Sequence, residues 1–236
     1  LCNGEDALVL MPTGGGKSLC YQIPALARAG VGVVVSPLIA LMKNQVDAIR
    51  NHCASNSVAH FFNSSLSKDE LEAAKSDVLS CKTKLLYVAP ESLNKHSTIQ
   101  FLKTIPIAFF AIDEAHCISV WGHDFRPDYR RIINIVQLMP ENVPILATTA
   151  TATRRVQEDI QNQMGSKCIS IRGDLLRDNF NLKVITFSQI ESKMMYLKKY
   201  LNSTDGNGII YVGTRARAEI YAQWLNASNI SSKAYH

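Results

Sequence analysis

No apolar stretch in this 236-residue chain approaches the roughly 18 consecutive residues that a bilayer-spanning helix requires, so no membrane span and no membrane partner are expected. The six cysteines, at positions 2, 20, 53, 81, 117 and 168, include no Cys-x-x-Cys pair. That spacing argues against a disulfide frame and a cysteine-clustered zinc site, and leaves reduced, buried, inert thiols as the expectation for all six. Nothing in the composition resembles disorder or low complexity. With 47% hydrophobic residues, the chain can bury one full α/β core and part of a second. The opening Leu1-Cys2-Asn3-Gly4-Glu5-Asp6 shows no charged leader, so an intracellular protein is expected. A formal charge of +5 suits a polyanionic partner but is too modest to establish one.

What the sequence does hold is an apolar run, Leu8 to Met11, that feeds directly into Pro12-Thr13-Gly14-Gly15-Gly16-Lys17-Ser18. Consecutive glycines let backbone N–H groups turn inward around an anion. Lys17 supplies a point charge for outer phosphates, and the Ser18 hydroxyl can ligate magnesium. The first glycine of the strict Gly-x4-Gly-Lys-Ser pattern is replaced by Met11. A helical pattern follows, with Leu19, Ile23, Leu26 and Ala27 as its expected apolar face. The expectation is an ATP site with Mg2+.

A nucleotide loop needs an acidic partner on a later strand. Ile107 to Ile112 is unbroken apolar sequence, suited to a strand buried on both faces, and it delivers Asp113-Glu114-Ala115-His116 at its carboxyl end. Asp113 suits a magnesium held through its water shell, and Glu114 suits the orientation of an attacking water.

Strand-like runs at Val31 to Ser36, Val58 to Phe62, Lys84 to Ala89, Ile107 to Ile112 and Pro144 to Thr148 alternate with helical patterns at Leu38 to Arg50, Ser67 to Ser80 and Thr153 to Met164. Ser67, three residues before Glu70, is the expected N-cap of its helix. Alternation of this kind predicts a parallel sheet covered by helices on both faces. The pattern ends near Gly173, crosses a polar segment and restarts with Val184 to Phe187, a helix from Glu191 to Leu201 and a strand Ile209 to Val212. Three segments are therefore expected: a first lobe over 1–173, a crossover over 174–182 and part of a second lobe over 183–236.

These residues resemble the helicase core of the RecQ family of DNA helicases along nearly the whole chain. Met11 to Gln22 (MPTGGGKSLCYQ) is similar to the family's first motif, Ser36 to Val46 (SPLIALMKNQV) to motif Ia and Tyr87 to Glu91 (YVAPE) to motif Ib. Asp113 to Tyr129 (DEAHCISVWGHDFRPDY) joins a DEAH box to the family's aromatic-rich loop and is the most specific string of all. Thr149-Ala150-Thr151 resembles motif III, Gly208 to Arg215 (GIIYVGTR) motif IV, and Arg177 with Asn179 the Arg-x-Asn of the lobe crossover.

The resemblance implies a RecA-like first lobe and the start of a second, whose opening and closing steps single-stranded DNA. It also implies ATP hydrolysis with 3'-5' translocation and duplex unwinding in recombination and repair. Lys17, Asp113, Glu114 and His116 would form the catalytic group, with Ser18 and Asp113 on magnesium. Contacts to single-stranded or partly duplex DNA, or the coupling of those contacts to ATP, would fall to Ser36, Pro37, Lys43, Pro90, Glu91, Trp121, His123, Phe125, Arg126, Thr149, Thr151, Thr214 and Arg215. Single-strand-binding or repair proteins are possible partners. The compartment is the cytoplasm, at the nucleoid, in a bacterium, and the nucleus in a eukaryote.

Several of these residues have a plainer reading. Trp121 and Phe125 offer faces on which bases stack, for about 1 to 3 kcal/mol each, but they equally suit core packing. Arg126 can meet a phosphate or stack. Lys43 suits a phosphate or a solvated helix face; Ser36-Pro37 and Pro90-Glu91 also suit caps or turns. Departures from the family pattern are Val120, Thr148 and Asp178-Asn179-Phe180. The family's glutamine-bearing adenine segment, its motifs V and VI with the arginine finger, its zinc module and its winged helix have no counterpart in these residues. Slow hydrolysis by these residues alone is therefore expected. A second class stays open on that ground: a non-catalytic module that binds ATP and DNA.

Overall fold

The computed structural model describes residues 1–122, 124, 126–136, 143–165, 168–173 and 181–236. They divide into two compact units, Leu1–Asp178 and Asn179–His236. The first unit is built on strands β1 (Ala7–Leu10), β2 (Val31–Val35), β3 (Ala59–Phe62), β4 (Leu85–Val88), β5 (Ile107–Ile112), β6 (Ile145–Thr149) and β7 (Ile169–Arg172). They form a single sheet in the order β3-β4-β2-β5-β6-β1-β7, and every neighbouring pair is parallel.

Side chains along each strand alternate between two separate cores. Leu8, Leu10, Val33, Val35, Phe110 and Ile112 fill one; Ala7, Val9, Val34, Phe109 and Ala111 fill the other. Both faces are dry, which is why the central strands read as continuous Val, Ile and Phe instead of alternating with polar residues. Helices α1 (Leu19–Ala27) and α2 (Ile39–Cys53) cover the second core with Tyr21, Ala25, Met42, Val46 and Ile49. The first core lies under α3 (Lys68–Leu79), the short α4 (Pro90–Leu93), α5 (His96–Lys103), α6 (Pro127–Val136) and α7 (Arg154–Met164). Each fully buried Leu, Ile or Phe contributes about 1.5 to 3 kcal/mol, so the two cores stabilise the sheet from both faces.

The strands expected in the first unit all occur, with ends within a residue or so of their anticipated places. Ser67 caps α3 as a full capping box: its hydroxyl accepts from the Glu70 N–H, and the Glu70 carboxylate accepts from the Ser67 N–H at 2.8 Å. Three expectations need correction. The face that α1 buries is Tyr21 and Ala25, while Leu19, Ile23 and Leu26 are 52%, 60% and 43% exposed; the sheet lies on the other side of the helix from the apolar stripe. Strand β7 was not anticipated, because Ile169-Ser170-Ile171-Arg172 is short and half-polar, as an edge position allows. Of the six thiols only Cys117 is buried; Cys2, Cys53 and Cys81 are exposed and Cys20 and Cys168 intermediate, all of them free.

The second unit holds helices α8 (Ile190–Asn202) and α9 (Arg215–Ala227). The strands expected at 184–187 and 209–212 form no ladder among the described residues. A strand exists by pairing, and Val184 and Tyr211 stand 98% and 90% exposed without it. The expected crossover lies outside the described residues as far as Phe180, and with it Arg177, Asn179 and the Asp178-Asn179-Phe180 departure.

Candidate functional site

Because β5, β6 and β1 are neighbours and parallel, the loops that leave their carboxyl ends open on one edge of the sheet. Open α/β sheets place ligands at that edge. The loop after β1 turns tightly: Gly15 N–H donates to the Pro12 carbonyl at 2.9 Å, and Gly14 and Gly16 adopt φ of 82° and 85°, a left-handed conformation that side chains other than glycine resist. The chain then enters α1 at Ser18, whose side chain makes no capping bond. Lys17 bends back over its own loop, donating to the carbonyls of Met11 and Pro12 at 3.3 and 3.4 Å. The ammonium is thereby held at the mouth of a turn lined with backbone N–H groups, at the positive end of a helix.

Asp113, at the end of β5, is buried. The Thr148 hydroxyl donates to its Oδ1 at 2.8 Å, and the Glu114 N–H donates to the same oxygen at 3.0 Å. Among the described residues Oδ2 accepts no hydrogen bond. Burial pushes the carboxyl above its usual range, with the Glu114 charge adding to the effect; the Thr148 bond and the Lys17 charge oppose it. The Lys17 charge thus acts on Asp113 from the neighbouring loop. Oδ2 of Asp113 and the uncapped hydroxyl of Ser18 are hard oxygen donors, which is the chemistry a magnesium ion takes.

Glu114 adopts φ 50° and ψ 46° and opens a 3-10 turn over Ala115–Ile118. A left-handed conformation is uncommon outside glycine, and here it swings the carboxylate off the strand direction. Glu114 Oε2 lies 3.3 Å from His116 Nδ1. That nitrogen also lies 3.0 Å from the Thr149 hydroxyl at the end of β6. Thr149 Oγ1 accepts from the Thr151 N–H at 3.3 Å and donates to the Thr151 carbonyl at 3.1 Å, closing the turn into α7.

Trp121 is 54% exposed, so it is not packed into the core. Arg126 is engaged within the protein: it pairs with Asp124 at 2.9 Å and donates to the Pro37 carbonyl at 3.2 Å, tying the loop to the end of β2. Gly122 turns so closely beneath this loop that an added Cβ would overlap the His116 carbonyl oxygen. His116, Cys117 and Asp124 bring their ligand atoms within 4.8 Å of one another. Burial, then the Asp124 charge, pushes the Cys117 thiol up to about 12, so it stays protonated at neutral pH. His123 and Phe125 lie outside the described residues.

The remaining sequence candidates are more dispersed. Ser36 is buried with its hydroxyl unpartnered among the described residues. Pro90 is buried at the start of α4 with Glu91 exposed beside it, and Lys43 stands exposed on α2. In the second unit the Thr214 hydroxyl caps α9 by accepting from the Arg217 N–H at 3.2 Å, and exposed Arg215 begins that helix. Sequence reasoning did not assign a role to Thr148, Tyr129, Asp159 or Arg155. Tyr129 donates to the Asp113 carbonyl at 3.1 Å from α6; as a buried tyrosine beside a polar strand end, it carried a faint signal. Thr148 stood in plain sight as a polar residue closing an apolar strand.

Residues 1–160 match the DEAD/DEAH box helicase family. The chain is 41% identical over 236 residues to the ATP-dependent DNA helicase RecQ of Haemophilus influenzae, covering 99% of this chain and 37% of that protein. It is 38% identical over 234 residues to the RecQ helicase of Bacillus subtilis, covering 98% and 39%. A probable ATP-dependent DNA helicase RecS of Bacillus subtilis is 36% identical, covering 100% and 47%. The chain thus spans between 37% and 47% of the length of these relatives. Among solved structures, the DUF1998 helicase MrfA bound to DNA superposes with a TM-score of 0.68 at 17% identity, over 95% of this chain and 34% of the other. The DEAD-box helicase Mss116 bound to ssRNA and UDP-BeF gives 0.61 at 17% identity, over 95% and 50%. The first unit has the RecA-like fold of a helicase lobe, and the chain belongs to the DEAD/DEAH box helicase family.

Proposed function

We propose that this member of the DEAD/DEAH box helicase family is part of a RecQ-type, ATP-dependent DNA helicase that couples ATP hydrolysis to 3'-5' translocation along single-stranded DNA. The observation that carries the reading is the convergence of Gly14–Ser18, Asp113–His116 and Thr149–Thr151 on the ends of three adjacent parallel strands. In that arrangement backbone N–H groups of residues 14–18 and the Lys17 ammonium bind the β- and γ-phosphates of ATP. Ser18 and Asp113 would hold Mg2+, which would supply charge neutralisation at the phosphates. Glu114, turned off the strand by its left-handed backbone, accepts a hydrogen bond from the attacking water and orients it. His116 links that carboxylate to Thr149, and Thr149 fixes the turn of Thr151.

The single strand is assigned to the exposed residues Lys43, Glu91, Trp121 and Thr151, with Ser36, Pro37, Pro90 and Arg126 shaping the loops beside them. The exposed indole stacks an unpaired base, and backbone groups at the strand ends meet phosphates. Within the second unit, which we read as the beginning of another RecA-like lobe, Thr214 and Arg215 are the proposed DNA contacts. A role in recombination and repair, partly duplex DNA as substrate, and action in the bacterial cytoplasm or the eukaryotic nucleus follow from the same reading.

The test is ATP turnover by the full-length protein with no nucleic acid, with single-stranded DNA and with RNA of equal length, followed by strand separation on duplexes with 3' or 5' tails. DNA-stimulated turnover abolished by Lys17→Ala, with preference for the 3' tail, is expected. Stronger stimulation by RNA would overturn the DNA assignment. ATP and DNA binding without turnover would leave a non-catalytic binding module in its place.

A further inference from the structure

Helix α7 touches the aromatic loop with two side chains that lie one turn apart on the same face, Arg155 and Asp159. Asp159 Oδ2 accepts from the Ser119 hydroxyl at 2.6 Å. The Ser119 oxygen in turn accepts from the Trp121 N–H at 3.2 Å. The Arg155 guanidinium lies over the Trp121 indole, its Cζ 3.2 Å from the ring centroid. The indole is therefore anchored through its backbone and covered on one ring face by the same helix. It is still 54% exposed, so much of the ring stays accessible. Helix α7 begins immediately after Thr153, whose hydroxyl accepts from the Val156 N–H at 3.4 Å, two residues beyond the Thr149–Thr151 turn.

We infer that Arg155 is a positioning residue for the base that stacks on Trp121, an inference that rests on the DNA-binding role proposed above. The guanidinium backs one face of the indole and leaves the other as the landing face for an unpaired nucleobase. A planar, delocalised cation suits that place better than an ammonium, because it stacks flat on the ring. Holding the ring in one orientation before the strand arrives removes an ordering cost from the binding step. The same contact ties the landing face to the helix that grows from the Thr149–Thr151 turn, and so to His116 and Glu114.

The experiment measures ATP turnover by the full-length protein against oligothymidylate concentration for Arg155→Ala, Arg155→Lys, Trp121→Ala and the Arg155→Ala, Trp121→Ala pair. Arg155→Ala is expected to raise the half-stimulating DNA concentration roughly two- to fivefold, with the maximal rate regained at saturating DNA, and Arg155→Lys to recover part of the loss. In the Trp121→Ala background Arg155→Ala should add nothing. An unchanged half-stimulating concentration overturns the inference, as does a lowered one, which would make Arg155 a cover that the base must displace. An equal loss with and without Trp121 also overturns it, since Arg155 would then be a plain phosphate contact. If the unaltered protein shows no stimulation by DNA, the DNA-binding role itself fails, an outcome distinct from loss of the Arg155 effect alone. Arg155 is exposed, and thermal melting of each variant separates misfolding from weakened stacking.

Discussion

His116 and Thr149 meet at 3.0 Å across the ends of two adjacent strands, and Glu114 approaches the same imidazole nitrogen at 3.3 Å. The carboxylate assigned to water activation is therefore linked through one imidazole to the turn that leads into α7. Thr149→Val removes the hydroxyl from that relay while keeping the strand's shape. DNA-stimulated turnover should fall about tenfold, the equivalent of about 1.4 kcal/mol. Affinity for a fluorescent ADP analogue should be retained. Equal loss of nucleotide affinity and stimulation would place Thr149 in the nucleotide pocket instead.

Glu114→Gln keeps the size of the side chain and removes its ability to accept a proton. Turnover should drop by about 10² to 10⁴ while ATP still binds, as read by single-turnover hydrolysis beside equilibrium nucleotide binding.

Thr148 sets the charge state of Asp113. Its hydroxyl bond favours the ionised carboxylate against burial, the largest influence, which favours the protonated one. Magnesium requires the ionised form. Thr148→Val leaves burial less opposed and raises the Asp113 value further, so the half-saturating Mg2+ concentration should rise about two- to tenfold. The sign fixes the pH trend: the deficit is greatest at acidic pH and shrinks as pH rises. A titration of turnover against Mg2+ at several pH values checks both the size and the slope.

Gly122→Ala should uncouple DNA from ATP without touching either ligand. The added methyl group collides with the His116 carbonyl, so the backbone beside Trp121 must shift. DNA stimulation is expected to collapse, and restoration of glycine at that one position in a multiply substituted protein should bring it back.

The capping box of α3 gives a stability prediction with a defined pH window. Ser67→Ala should cost about 0.5 to 2 kcal/mol in chemical denaturation. The Ser67 N–H, then its hydroxyl, hold the Glu70 carboxyl below its ordinary value of 4.5. Because the folded value is the lower one, this stabilisation is present above 4.5 and is lost as pH falls through the folded value. Denaturation midpoints from pH 7 to pH 3 should show a smaller acid loss in Ser67→Ala than in the parent.

Much of the first unit could be read from residues alone because its strands are buried on both faces, and double burial leaves long unbroken runs such as Ile107 to Ile112. The nucleotide loop was legible for a different reason: phosphate binding demands glycine, lysine and serine at fixed spacing. Position in the sheet was not. The apolar stripe of α1 suggested the wrong buried face, since periodicity gives the width of a stripe and not which side meets the sheet. Strand β7 was missed because its Ile-Ser-Ile-Arg pattern is that of an exposed edge. Arg155 escaped notice for a simpler reason: an arginine beside Arg154 on a polar helix start looks like solvated charge until the fold carries Trp121 over it.

Strand β1 lies between β6 and β7, whose ladders it joins at Leu146 and Ile169, although both are made well after it. A ribosome adding about 5 to 20 residues per second thus leaves the phosphate loop without its flanking strands for roughly seven to thirty seconds. During that time β2, β3, β4 and β5 have the sequence they need to pair with one another. The nucleotide site consequently waits on strands made long after its own loop, and its completion requires that the sheet has closed around β1.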